Sequence, residues 1–166
     1  MKDNNIFITG KPRSGKSTLV REIVSECGVV VAGLMTPEIR RDGERVGFAL
    51  EDIMTGEKGL LAHVGIKDGP RVGKYGVCTE DLEKFTELSL KDLQEDVELV
   101  LIDEIGKMEM FSEGFKDAVD ALLSSKTPVL AVLHRHLLDE YASKGKLYTL
   151  EDNFDEVKMR VLQDMG

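Results

Sequence analysis

Gly10-Lys11-Pro12-Arg13-Ser14-Gly15-Lys16-Ser17-Thr18 carries the residue types needed to hold a polyphosphate. It follows the pattern glycine, any four residues, then Gly-Lys-Ser or Gly-Lys-Thr. Glycines let the backbone curl around an anion, so that several N–H groups point inward. Lys16 is expected to reach the β- and γ-phosphates of a nucleoside triphosphate, and the Ser17 hydroxyl to ligate Mg²⁺. Gly10 through Thr18 are therefore the candidate nucleotide-binding residues. At ordinary residue frequencies, a chain of this length shows the pattern by chance roughly once in a hundred.

A second constellation complements the first. Leu99-Val100-Leu101-Ile102-Asp103-Glu104 is an apolar run ending in two carboxylates, the Walker B pattern. An acid at the C-terminal end of such a strand sits at the ligand edge of an open α/β sheet. Asp103 is expected to hold Mg²⁺ through its water shell, because Mg²⁺ dehydrates reluctantly. Glu104 is expected to face the γ-phosphate and orient or deprotonate the attacking water, which makes it, with Lys16, a catalytic candidate. Adjacent strand residues point to opposite faces. Both carboxylates can serve one site only where the strand has ended and the backbone turns, and Gly106 suits such a turn. Activated water implies hydrolysis, whereas a kinase excludes water.

The same loop serves two other chemistries. A nucleotide or small-molecule kinase would need a cationic lid, which Gly65 to Lys74 could form with Lys67, Arg71 and Lys74. A non-enzymatic switch would bind the triphosphate and recruit a partner. Transition-state charge on the γ-phosphate calls for a cation besides Lys16. Arg13, Arg40, Arg45, Lys107 and Arg135 are candidates. His134, ending a strand expected beside the Walker B strand, could contact the water or the γ-phosphate.

The elements that must position these groups alternate along the chain. Asn5 to Thr9 reads as a buried parallel strand, and Ser17 to Glu26 as a helix with Leu19, Val20, Ile23 and Val24 on one face. The positive end of that helix would face the phosphates. Val29 to Met35 is a second strand. Glu38 to Asp52 reads as a hairpin turning at Arg41-Asp42-Gly43-Glu44. Further strands are expected at Leu60 to Val64 and Tyr75 to Cys78, with a glycine-rich surface loop at Ile66 to Lys74. Thr79 opens a helix, and a second short helix is expected from Ser89. After the strand Glu98 to Asp103 come a helix over Phe111 to Ser124, a strand over Val129 to His134 and a weak helix over Leu137 to Lys144. Leu147 to Leu150 and Phe154 to Leu162 give a last strand and helix. This order predicts an α/β fold with a mostly parallel sheet, helices on both faces and a β-rich insert at about 38–64.

With 166 residues, the chain is expected to form one domain over residues 1–166. A net charge of -9 argues against nucleic-acid and anionic-membrane partners. Cys27 and Cys78 are too few for a disulfide framework. With no signal peptide read, they suggest reduced thiols in a cytoplasmic protein. No apolar run is long enough to span a membrane. The sequence assigns no oligomeric state.

The Glu after Asp103 resembles the P-loop branch that places an extra strand between the loop strand and the Walker B strand, as RecA-like and AAA+ ATPases do. Val29 to Met35 is expected to supply it. The chain as a whole resembles the small nucleoside-triphosphatases of thermophiles, with the vertebrate cancer-related nucleoside-triphosphatase as a relative. The resemblance rests on Gly10 to Thr18, Gly33 to Arg40, Gly43 to Phe48, Val72 to Tyr75 and Ile102-Asp103-Glu104-Ile105-Gly106-Lys107-Met108-Glu109. It implies a RecA-like core and Mg²⁺-dependent hydrolysis of several NTPs, ATP and GTP included, to NDP and phosphate with weak base selectivity. It favours Arg40, Arg45 and Lys107 among the accessory cations, since these lie in the matching segments. Two departures stand out. Pro37 occupies a place where relatives often carry an acid, and Phe154 follows Asn153 where relatives tend to carry Arg.

Overall fold

An apolar run without alternation fits only where both faces of a sheet are covered. The computed structural model, which describes residues 4–166, places the runs read from the sequence in such positions. In chain order the strands are β1 (Ile6–Gly10), β2 (Val31–Met35), β3 (Glu38–Arg41), β4 (Glu44–Asp52), β5 (Lys58–His63), β6 (Arg71–Val72), β7 (Tyr75–Val77), β8 (Leu99–Ile105), β9 (Val129–Leu133) and β10 (Lys146–Leu150). The helices are α1 (Lys16–Glu26), α2 (Thr79–Leu90), α3 (Glu113–Leu123), the short α4 (Leu138–Tyr141) and α5 (Phe154–Met165).

Among the described residues the strands form one 10-stranded sheet in the order β10-β1-β9-β8-β2-β4-β5-β7-β6, with β3 paired to β4. The ladders from β10 to β2 are parallel. Beyond β2 they are antiparallel. Alternation along the central strands divides the core in two. Leu99, Leu101, Leu130 and Ile8 face α1 and α5, meeting Leu19, Ile23, Val157 and Val161. Val100, Ile102, Ala131 and Phe7 face α2 and α3, meeting Leu82, Phe85, Phe115 and Val119. The C-terminal ends of β1, β9 and β8 therefore lie side by side on one edge.

Some expectations needed correction. The strand between β1 and β8 is β9, not the Val29–Met35 segment, which lies as β2 on the far side of β8. A parallel strand returns through a crossover, and a crossover can pass over strands that arrive later in the chain. No second helix begins at Ser89. That residue is buried in the continuous α2, on the face shared with Leu82, Phe85 and Thr86. Lys91 is extended and Asp92 has φ 49, which ends the helix there. The β3–β4 turn has the predicted residues, with φ 51 at Asp42 and 80 at Gly43, as a type I′ hairpin requires. The antiparallel strands run on past residue 64, through β6 and β7 to Val77.

Candidate active site

The loop after β1 closes on its own lysine. Lys16 Nζ donates to the carbonyl oxygens of Gly10 and Lys11 at 2.8 and 3.0 Å. Gly15 precedes α1 with φ 95 and offers no side-chain cap, so the first N–H groups of the helix face the loop. Burial lowers the Lys16 pKa, Glu104 and Asp103 pull it back up, and Arg135 adds to the lowering. Those influences put both Walker B carboxylates and Arg135 within electrostatic reach of the ammonium.

Ser17 Oγ donates to Asp103 Oδ1 at 3.2 Å, so the two expected metal-binding groups meet across 86 positions of chain. Asp103 is 1% exposed, and its backbone carbonyl accepts from the Thr36 hydroxyl. Burial raises its carboxyl to about 6 against the pull of Ser17, Arg21 and Lys16. Its Oδ2 is buried without a hydrogen-bond partner, as are Thr9 Oγ1 and Ser14 Oγ; Ser89 Oγ is the remaining such atom among the described residues. Orphaned oxygens are costly unless a ligand or ion completes them. A hydroxyl beside an unsatisfied carboxylate fits a hard divalent cation such as Mg²⁺. No group of three or more His, Cys, Asp or Glu among the described residues could hold a metal by itself. A cation here would draw the rest of its shell from water and from phosphate oxygens.

Glu104 reaches the same edge by a route the sequence did not reveal. The strand does not end at Asp103 but continues to Ile105. The ladder with β9 shifts register between Asp103, opposite Val132, and Ile105, opposite Leu133, which leaves Glu104 as a β-bulge. A bulge re-aims the side chain it carries. Burial first, then repulsion from Asp103, raises the Glu104 carboxyl to about 7, and Lys16 opposes the rise. A base poised near neutrality suits proton transfer from water.

Glu109 was not foreseen. It lies in a single helical turn after β8 and is 3% exposed. Burial and the charges of Glu104 and Asp103 push its carboxyl well above the usual carboxylate range, while hydrogen bonds from the amides of Glu109 and Glu104 pull it down. A methyl group on Gly106 would stand 3.0 Å from Glu109 Oε1 and 3.1 Å from Glu104 Oε1. Gly106 is thus the spacer against which both carboxyls pack. Arg21 was also missed, although it stands four residues after Ser17, on the same helical face.

The accessory candidates separate. His134 follows β9, and its Nδ1 accepts from the His136 backbone N–H at 3.1 Å. Burial, then His136, Lys107, Lys16 and Arg135, lowers its pKa. At neutral pH the ring is therefore uncharged, with its proton on Nε2 as a donor. Lys107 and Arg135 are exposed near it and make no hydrogen bond or ion pair among the described residues. Arg40 and Arg45 are engaged elsewhere. Arg40 binds Glu38 and the Gly43 carbonyl. Arg45 binds Glu38 and the Tyr75 hydroxyl and lies 5.1 Å from the Phe48 ring centroid. Both hold the insert together. The loop considered as a cationic lid is similarly occupied, since Arg71 donates to the carbonyls of Ile66 and Lys74.

Comparison with known proteins agrees with this arrangement. A family model described as NTPase matches residues 5–162. A nucleoside-triphosphatase THEP1 from Methanocaldococcus jannaschii is 41% identical over 166 residues, covering 95% of this chain and 96% of that protein. The THEP1 of Methanosarcina barkeri is 46% identical over 134 residues, covering 78% and 76%. The solution structure of a human cancer-related nucleoside triphosphatase superposes with a TM-score of 0.80 at 29% identity, covering 96% of both chains. The crystal structure of THEP1 from Aquifex aeolicus gives 0.74 at 30% identity, covering 96% and 97%. The fold is thus α/β, of the RecA-like P-loop kind. With nearly its whole length accounted for, the chain belongs to the NTPase family.

Proposed function

We propose that this chain hydrolyses nucleoside triphosphates to the diphosphate and phosphate, with Mg²⁺ and with low selectivity for the base. The observation that carries the reading is the end of β8, where Asp103 accepts from Ser17 and, at the bulge that follows, Glu104 acts electrostatically on Lys16. Backbone N–H groups within Gly10 to Thr18, Pro12 having none, bind the phosphates, and Lys16 leaves its loop carbonyls for the β- and γ-phosphate oxygens. Ser17 and Asp103 would hold Mg²⁺, which when bound neutralises charge on those oxygens. Glu104 accepts a proton as water forms its bond to the γ-phosphorus and the bond to the β,γ-bridging oxygen breaks. His134 donates from Nε2 to the γ-phosphate or the water. Lys107 or Arg135, rather than Arg40 or Arg45, supplies the further cation, because neither is committed to a carboxylate.

Phosphate release from ATP and GTP, with and without Mg²⁺, tests this reading. The expected result is Mg²⁺-dependent release that Lys16→Ala abolishes by losing triphosphate binding. Release of diphosphate only when an acceptor such as a nucleoside monophosphate is added would mean a kinase instead.

A further inference from the structure

We propose that Phe154 is the surface on which the nucleobase stacks. This rests on the triphosphate-binding reading of the loop and adds the place of the nucleoside. Ser17 meets Asp103 at 3.2 Å, and Glu104 acts on Lys16. The γ-phosphate end of the site is therefore on the β8 side of β1. In the order β10-β1-β9-β8, a nucleotide anchored there extends its sugar and base the other way, across β1 toward β10 and α5.

The corner between β10 and α5 is built directly onto the phosphate loop. A methyl group on Gly10 would stand 2.9 Å from the Leu150 carbonyl oxygen, and one on Gly15 3.8 Å from Cδ2 and Cε2 of Phe154. One edge of the Phe154 ring thus faces the glycine just before Lys16, at contact distance from where a side chain there would begin. Phe154 packs on the core shared by α1 and α5 and is half-buried, so part of the residue stays exposed. The amide that precedes it is held within its own turn. Asn153 Oδ1 accepts from the Glu151 amide at 2.7 Å, and its Nδ2 donates to the Thr149 carbonyl at 3.2 Å. With that amide held in its turn, what the ring itself offers a base is a stacking face. Every base has a π-face, so stacking of this kind tolerates all four bases and favours the larger purines.

The chain contains no Trp, so Phe154→Trp introduces a single fluorescent reporter on the same surface. Its emission is read against ATP, GTP, CTP, UTP and inorganic tripolyphosphate, which carries the phosphates but no base. The expected result is quenching by all four nucleotides, stronger for the purines, and none by tripolyphosphate. Phe154→Ala is expected to raise KM for each nucleotide by about 5- to 100-fold, with tripolyphosphate as the base-free reference. Equal quenching by tripolyphosphate, or an equal rise in its KM, would overturn the proposal and make Phe154 a prop for the loop. An unchanged nucleotide KM in Phe154→Ala, or quenching by one base alone, would also overturn it. If Phe154→Trp is quenched by all four nucleotides but the wild type releases no phosphate, the hydrolase reading fails while the stacking surface stands.

Discussion

Glu109 shows most clearly what single residues do here beyond their type. A buried acid whose folded pKa is raised keeps its proton after the unfolded chain has lost it. Folding then costs more as pH rises above the ordinary glutamate range. Glu104 and Asp103 are the charges that deepen this cost. Glu109→Gln keeps the shape and removes the ionisation. The variant is expected to melt higher than wild type at pH 8, by on the order of a few degrees, with the gap closing at pH 5; a gap that widens toward pH 5 would contradict the assignment. The loop residues and the Asp-Glu pair were legible in the sequence because their types and spacing are local. Glu109 was not, since its neighbour in space is a carboxylate five positions upstream brought close by a turn. The pairing of Arg40 and Arg45 with Glu38 was hidden for the same reason, because Glu38 engages both only once the insert has folded.

At the scale of elements, periodicity located nearly every strand and helix, and topology escaped it. β9 and β2 are equally plausible neighbours of β8 from pattern alone, and both do flank it. Which one stands between β8 and β1 depends on crossovers that no local pattern encodes. The bulge at Glu104 escaped as well, because Ile105 continues the apolar run and hides the irregularity. The cap of α3 was not read either: the helix expected from Phe111 begins at Glu113, behind Ser112. Ser112, 1% exposed, accepts from the Phe115 N–H at 3.1 Å and starts α3. Ser112→Ala removes that cap beneath the face formed by Phe115, Ala118, Val119 and Leu122. It is expected to lower unfolding stability by about 1 kcal/mol in urea titration, and no shift in the midpoint would argue against the cap.

Over the whole molecule, a few buried polar contacts fix how distant segments meet. Asn5 is fully buried just before β1. Its Nδ2 donates to the carbonyls of Leu123 and Lys144 at 2.9 and 3.2 Å, and its Oδ1 accepts from the Val129 N–H at 3.3 Å. One side chain thereby ties the end of α3, the start of β9 and the approach to β10 to the strand that carries the phosphate loop. Asn5→Ala strands these groups and is expected to destabilise the fold by about 3 kcal/mol or more in chemical denaturation. Among the described residues no helix is long and apolar enough to cross a membrane. The sheet so fixed exists, on this account, to deliver the ends of β1 and β8 to one substrate, and turnover by Glu104→Gln tests that most directly. The variant is expected to bind Mg²⁺-NTP as wild type does while phosphate release falls about 100- to 10,000-fold. Wild-type turnover in Glu104→Gln would contradict the central assignment of Glu104 as the base that activates water.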